Sequence, residues 1–269
     1  MKKILVSLLV LMFTLSLHAG EKLTLKGSNS LGATLMPKLS EAYRATGKNV
    51  KFSISAEGSS TAFPALLNGK ADIGMSSRKI TAEESAMFRS KGAGMSQTLL
   101  CMDGIAVIVN AANPVKGLTK AQVRQILNGE ITDWSAVGGT RGAISVFTRN
   151  ASSGTYMELQ RLANAQRSAG PSALRMAGNE QISAKVAKTP GGIGYVSLAF
   201  SHHAGTKTLP IDGVLPGEKA VRSAKYPYAR EVYLYTTKAA SATARDFVNF
   251  CAGPSAIRVI REVGFVPSK

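Results

Sequence analysis

The sequence predicts an α/β protein in two lobes, each a mixed sheet flanked by helices, with two long strands crossing between them. Three observations predict it. Period-two apolar runs alternate with runs at helical spacing over residues 22–75, and again over 144–196. Two long strand-like segments, 99–110 and 226–236, follow those units. A chain of 269 residues with 45% hydrophobic content also suffices for about two domains, with no need of a metal or disulfide scaffold.

The elements follow in order. Residues 22–26 (KLTLK) alternate and form the first strand, and Leu31, Leu35, Leu39, Ala42 and Tyr43 then share a helix face. Residues 50–55 (VKFSIS) return to period two, Phe63, Leu66 and Leu67 mark a short helix, and 71–75 (ADIGM) is a third strand. This β-α-β-α-β order implies a largely parallel sheet. Thr81 with Glu84 three residues on is a capping box that opens another helix. Asn113-Pro114 ends the long strand 99–110, and 119–127 is a short helix. The second unit repeats the pattern. Residues 144–148 (ISVFT) are a strand, 149–153 a polar loop, Tyr156, Leu159 and Leu162 a helix face, and 191–196 (GGIGYV) a buried strand. Helices at 243–250 and 255–263 close the chain, parted by Gly253-Pro254. The expected boundaries are 20–104 for the first part of lobe I, 105–229 for lobe II, and 230–269 for the return to lobe I.

Residues 1–19 read as a cleaved secretory signal peptide. Lys2 and Lys3 precede an apolar stretch from Ile4 to Leu17, and Leu17-His18-Ala19 offers the cut. The stretch is shorter than the ~20 residues a membrane span needs. The mature chain is therefore expected outside the cytoplasm. Lys and Arg number 33 against 16 Asp and Glu, a formal charge of +17 that points to anionic partners. The basic residues are scattered and aromatics are only 6%, which argues against nucleic acid. Cys101 and Cys251 are too few for a disulfide-rich fold or a four-cysteine zinc site, and either a single bridge or two buried thiols fits them. His202-His203 is adjacent and cannot share a helix face, so it reads as a surface loop, and Trp134 reads as a packing residue. No cofactor or metal is expected.

Polar loops occupy the informative positions. Residues 27–30 (GSNS), 58–61 (GSST) and 76–78 (SSR) follow the first three strands, at the carboxyl ends where α/β sheets bind ligands. Residues 149–155 (RNASSGT) do the same in the second unit. Arg149 brings a permanent charge and a planar fork of donors, Ser153 and Thr155 bring hydroxyls, and Gly154 leaves its N–H uncovered before a helix. Ser30, Ser59 and Ser77 add further hydroxyls. Each serine alone fits a helix cap or turn equally well. Four such loops together favour an oxyanion, because hydroxyls and amides can replace its hydration shell. Arg78 is a second candidate charge, or the partner of a nearby acid. No catalytic residues are expected. The S-x-x-K string at 76–79 lacks its partner triplets, and neither a G-x-S-x-G elbow nor a P-loop is present.

The ordered strings GSNSL (27–31), EGSST (57–61), ADIGMSSR (71–78), DGIAVIVN (103–110), ILNGEITDW (126–134), RNASSGT (149–155) and TPGGIGYV (189–196) resemble the periplasmic phosphate-binding proteins, the substrate-binding subunits of phosphate ABC importers. The resemblance spans almost the whole mature chain. It implies the two-lobed periplasmic binding-protein fold of type II, a periplasmic location, a monomer, inorganic phosphate as ligand and an inner-membrane ABC permease as partner. By the family's pattern Arg149, Ser153, Gly154 and Thr155 hold the anion from lobe II. Ser30, the backbone N–H of Leu31, and Ser59 hold it from lobe I, with Ser77 alongside. One departure stands out. Many members carry an aspartate at the position of Ser77, where it accepts the proton of hydrogen phosphate. Asp103 and Glu57 are the candidate replacements for that acceptor. The rival expectations are another tetrahedral oxyanion such as sulfate or molybdate, a secreted phosphate-ester hydrolase, and a surface interaction protein on the same fold.

Overall fold

The computed structural model describes residues 21–165, 170 and 172–268, so the expected leader lies outside the described residues. The first unit runs β1 (Glu21–Gly27), α1 (Met36–Arg44), β2 (Val50–Ser55), α2 (Ala62–Leu67), β3 (Ile73–Ser76) and α3 (Ala82–Ser90). A wide π-type turn at Leu31–Leu35 leads into α1. Next come β4 (Met95–Asn110), α4 (Lys120–Leu127), β5 (Ser145–Arg149), α5 (Gly154–Ala163), β6 (Leu174–Met176), α6 (Asn179–Lys188), β7 (Gly192–Ser197) and β8 (Thr206–Thr208). The chain closes with α7 (Glu218–Arg222), β9 (Ala229–Thr237), α8 (Ala242–Ala252), α9 (Ile257–Glu262) and β10 (Val266–Pro267).

The strands form one continuous curled path, β2-β1-β3-β9-β4-β7-β5-β6, with β8 and β10 paired to β4. β1 pairs in parallel with β2 and β3, and β5 in parallel with β6 and β7, as the helical crossovers between them require. The parallel order expected of the first unit holds for β1, β2 and β3, and the long strands make the sheet mixed, as expected. β9 runs antiparallel to both β3 and β4, and β4 antiparallel to β7. Periodicity reports strands and helices, but it carries no direction for strands joined by long connections. β4 joins the halves by changing partner. Residues 95–104 pair with β9, and 105–109 pair with β7.

Each half has its own apolar core. Leu23, Leu25, Leu35, Ile73, Leu234 and Phe247 belong to one, and Ile105, Val107, Val123, Leu159, Ile193 and Tyr195 to the other. The result is the two-lobed α/β architecture expected from the sequence. Cys101 and Cys251 are free thiols buried in the first core, and burial pushes both well above the ordinary thiol value. Tyr226 and Tyr228 precede β9 rather than lying within it. Both are buried in the second core, and the Tyr226 hydroxyl donates to the Ile105 carbonyl at 2.8 Å. Trp134 is buried and donates its ring N–H to Gly191 O, and His202 and His203 are exposed. Among the described residues, no helix is long and apolar enough to cross a membrane.

Candidate functional site

Four loops leave the carboxyl ends of β1, β2, β3 and β5 and meet where the lobes face each other. β1, β2 and β3 are parallel to one another, and β5, reached through three antiparallel pairings, runs opposite to them, so its carboxyl end comes to face theirs. Ser30, Ser59, Ser77, Arg149, Ser153 and Thr155 are each at most 1% exposed, although all are polar. Ser30 Oγ lies 3.1 Å from Thr155 Oγ1 across the two units, and within the first unit Ser59 Oγ lies 3.2 Å from Ser77 Oγ. Gly154 closes the gap between these pairs. A Cβ at that position would stand 2.2 Å from Ser59 Oγ and 2.8 Å from Ser77 Oγ, so only glycine permits the approach. Ser153 Oγ caps α5 by accepting from Tyr156 N at 3.2 Å, and the Leu31 N–H has only a long 3.4 Å bond to Ser28 Oγ. Further interlobe bonds frame the cluster. Ser60 N donates to Ser152 O at 3.1 Å, and Asn179 donates to Asn29 Oδ1 from both its backbone and its side chain.

Arg149 is the electrostatic centre. Its guanidinium is buried, and Nε and Nη2 find no hydrogen-bond partner among the described residues. Burial pulls its pKa below the ordinary arginine value, opposed by Tyr195 and Glu180. Arginine nonetheless stays charged at any physiological pH. Its backbone is anchored instead, with Arg149 N donating at 3.3 Å to the Tyr195 hydroxyl, which also bonds Thr148 Oγ1 at 2.6 Å. A buried cation with unpartnered donors is chemically suited to an anion. Arg78 behaves otherwise. It forks onto Glu84 with bonds of 2.6 and 2.8 Å, as the alternative reading from sequence allowed.

The two candidate acceptors need correction. Glu57 is exposed, and its Oε1 accepts from Ser55 Oγ at 2.8 Å, away from the buried cluster. Asp103 is fully buried beside the cluster, but both its oxygens are committed. Oδ2 accepts from Arg230 Nε and Nη2 at 3.0 and 2.6 Å, and Oδ1 accepts from Ser197 Oγ and Leu198 N. A carboxylate with four such bonds has no lone pair left for a ligand proton. Sequence reasoning also missed Arg230 and Asn179. Arg230 Nη1 donates to Thr155 Oγ1 at 3.0 Å, and Asn179 Nδ2 lies 3.3 Å from Ser30 Oγ. A charged residue inside the strand-like run AREVYLY was a readable signal for Arg230. Nothing in the sequence marked Asn179, which opens a helix that periodicity did not reveal. No group of three or more His, Cys, Asp or Glu able to hold a metal ion occurs among the described residues.

A family model described as a PBP superfamily domain matches residues 17–255. The phosphate-binding protein PstS of Borreliella burgdorferi is 24% identical over the full length of both chains. Its namesake in Pseudomonas aeruginosa is 29% identical over 90% of this chain and 81% of its own. Among solved structures, a putative phosphate ABC transporter substrate-binding protein with bound phosphate from Clostridium perfringens aligns with a TM-score of 0.86 at 25% identity, covering 93% of this chain and all of that one. An ABC-type phosphate transport receptor from Vibrio cholerae aligns with a TM-score of 0.75 at 28% identity, covering 91% and 99%.

Proposed function

We propose, for a chain that belongs to the PBP superfamily, that it binds inorganic phosphate between its lobes and delivers it to an ABC importer. One observation carries this reading: Arg149 is buried with two guanidinium nitrogens unpartnered among the described residues, and it opens the loop whose Thr155 hydroxyl meets that of Ser30 from the other unit. The named functions of the relatives support it. Arg149, Ser153, Gly154 and Thr155 hold the anion from one side, and Ser30, Leu31 N–H, Ser59 and Ser77 hold it from the other.

The mechanism is closure. Donors from both lobes converge on one ion, so the closed state binds it better than the open one and grows in population as ligand is added. No bond is made or broken. The lobes are taken as 20–104 with 230–269, and 105–229. The basic and apolar sequence at 1–19 supports a periplasmic location, and the protein is taken as a monomer with an ABC permease as its partner. Titration calorimetry with phosphate tests the reading. Binding at 1:1 that is lost in Arg149→Ala is the expected result. Phosphate that neither releases heat nor raises the melting temperature of the wild type ends it.

A further inference from the structure

Arg230 and Asp103 face each other in register where the two long strands cross, and neither exposes any of its side chain. The carboxylate balances the charge of an arginine this deep but takes only two of its five N–H groups, and the guanidinium reaches further with the rest. Nη1 donates to Thr155 Oγ1 at 3.0 Å and to the Ser77 carbonyl at 3.3 Å, and Nη2 comes within 3.4 Å of Ser30 Oγ. Asn179 Nδ2 approaches the same Ser30 oxygen. Guanidinium and amide N–H groups can only donate. The hydroxyl oxygens they meet must therefore accept, and because Ser30 Oγ and Thr155 Oγ1 lie 3.1 Å apart, one hydroxyl donates to the other and the proton of the second is left to point elsewhere.

We propose that Arg230, held in place by Asp103, is a positioning residue that occupies the accepting sides of the Ser30 and Thr155 hydroxyls, so that the pair presents a proton toward the enclosed anion. Resting on the phosphate reading above, the proposal gives that site an oriented donor from a hydroxyl pair built by both lobes. A hydroxyl free to rotate presents its lone pairs to an anion as readily as its proton. One whose oxygen is already occupied by N–H groups presents the proton. The fork geometry matters as much as the charge. Nε and Nη2 grip Asp103 while Nη1 and the far side of Nη2 stay available, which a lysine ammonium cannot reproduce.

The test is a double-mutant cycle on phosphate affinity, measured by calorimetry on the full mature chain. Asp103→Asn with Arg230→Gln removes the pair together and leaves no lone buried charge. Thr155→Val removes one oriented hydroxyl. Each should weaken phosphate by about 10- to 100-fold. The triple variant should be no more than about threefold weaker than the worse of the two, because both changes break the same bond. A pair variant that binds like wild type overturns the proposal, and so do losses that multiply in the triple. If the pair variant does not fold, Arg230→Lys serves, since it keeps the charge beside Asp103. It should lose about tenfold, and wild-type affinity in it overturns the proposal. Wild type that fails to bind phosphate strikes the underlying reading, whereas an intact wild type with an unaffected pair variant strikes only Arg230.

Discussion

Two arginine loops in this molecule look alike in sequence and differ in their chemistry. Arg78 ends the loop after β3, and Arg149 opens the loop after β5. Both are nearly inaccessible, at 4% and 1% exposure. Arg78 is satisfied nearby at both terminal nitrogens, leaving Nε without a partner among the described residues. Its guanidinium forks onto Glu84, donates to Ser60 Oγ at 3.0 Å and stacks over the Phe63 ring. Arg149 has a satisfied backbone and a guanidinium with two unpartnered nitrogens. Burial therefore does not mark a binding residue. Burial without a partner does, because such a charge is costly until an anion arrives.

The largest effect separates the two arginines by stability. Glu84→Ala strands the Arg78 charge and also removes the capping-box acceptor of Thr81 N. A loss of about 3 kcal/mol is expected from the denaturant midpoint, with phosphate affinity close to wild type. Arg149→Ala should do the reverse. It removes a charge-assisted fork and should weaken phosphate by at least about 2 kcal/mol, roughly 30-fold. Its melting temperature should hold or rise, since an unpaired buried charge has gone. Equal loss of binding in both variants would erase the distinction between the loops.

Much of this was legible in the sequence, and the failures have physical causes. β1, β2, α3 and α4 could be read because alternation and capping boxes are local: Thr81 with Glu84 and Thr119 with Gln122 both form as reciprocal pairs. β6, β8 and β10 are two or three residues long, too short to show a period. The hydroxyl loops stood out because they interrupt periodic runs at strand ends. Which arginine would be orphaned did not. That depends on a carboxylate six residues away for Arg78, and for Arg149 on Nε and Nη2 meeting no acceptor among the described residues. Asp103 and Arg230 are 127 positions apart and meet only through the pairing register of β4 and β9, which no single-sequence pattern fixes.

Gly154 sharpens the contrast at the next level down. Its backbone is ordinary for a helix start, so alanine there adds a methyl group without strain in the chain itself. That methyl would meet Ser59 Oγ at 2.2 Å across the lobes. Gly154→Ala should therefore leave the melting temperature within about 1 °C, and weaken phosphate by about 1.5 kcal/mol because the lobes cannot approach fully. An unchanged affinity would mean that Ser59 moves aside and that the close contact is not needed for binding.

The smallest expected effect tests how the Arg149 loop is anchored. Arg78 N–H bonds at 3.4 Å to the hydroxyl of Ser76, two residues back in its own loop. Arg149 N–H instead relies on Tyr195, from the neighbouring part of the sheet. Tyr195→Phe should weaken phosphate by about 1 kcal/mol, the worth of one hydrogen bond to the loop. It also changes the alkaline limb of stability. Burial raises the Tyr195 pKa to about 12 from an ordinary 10.0, against the opposing bonds to Thr148 and Arg149. The neutral phenol is the form that the fold favours. Its contribution is intact below pH 10 and is lost as the unfolded chain ionises between about pH 10 and 12. The phenylalanine variant lacks that group. Relative to its own value at pH 9, it should lose less stability by pH 11 than the wild type, by about 1 kcal/mol. Parallel alkaline curves for the two proteins would show that Tyr195 ionises freely in the folded chain and is not the rigid support of the Arg149 loop.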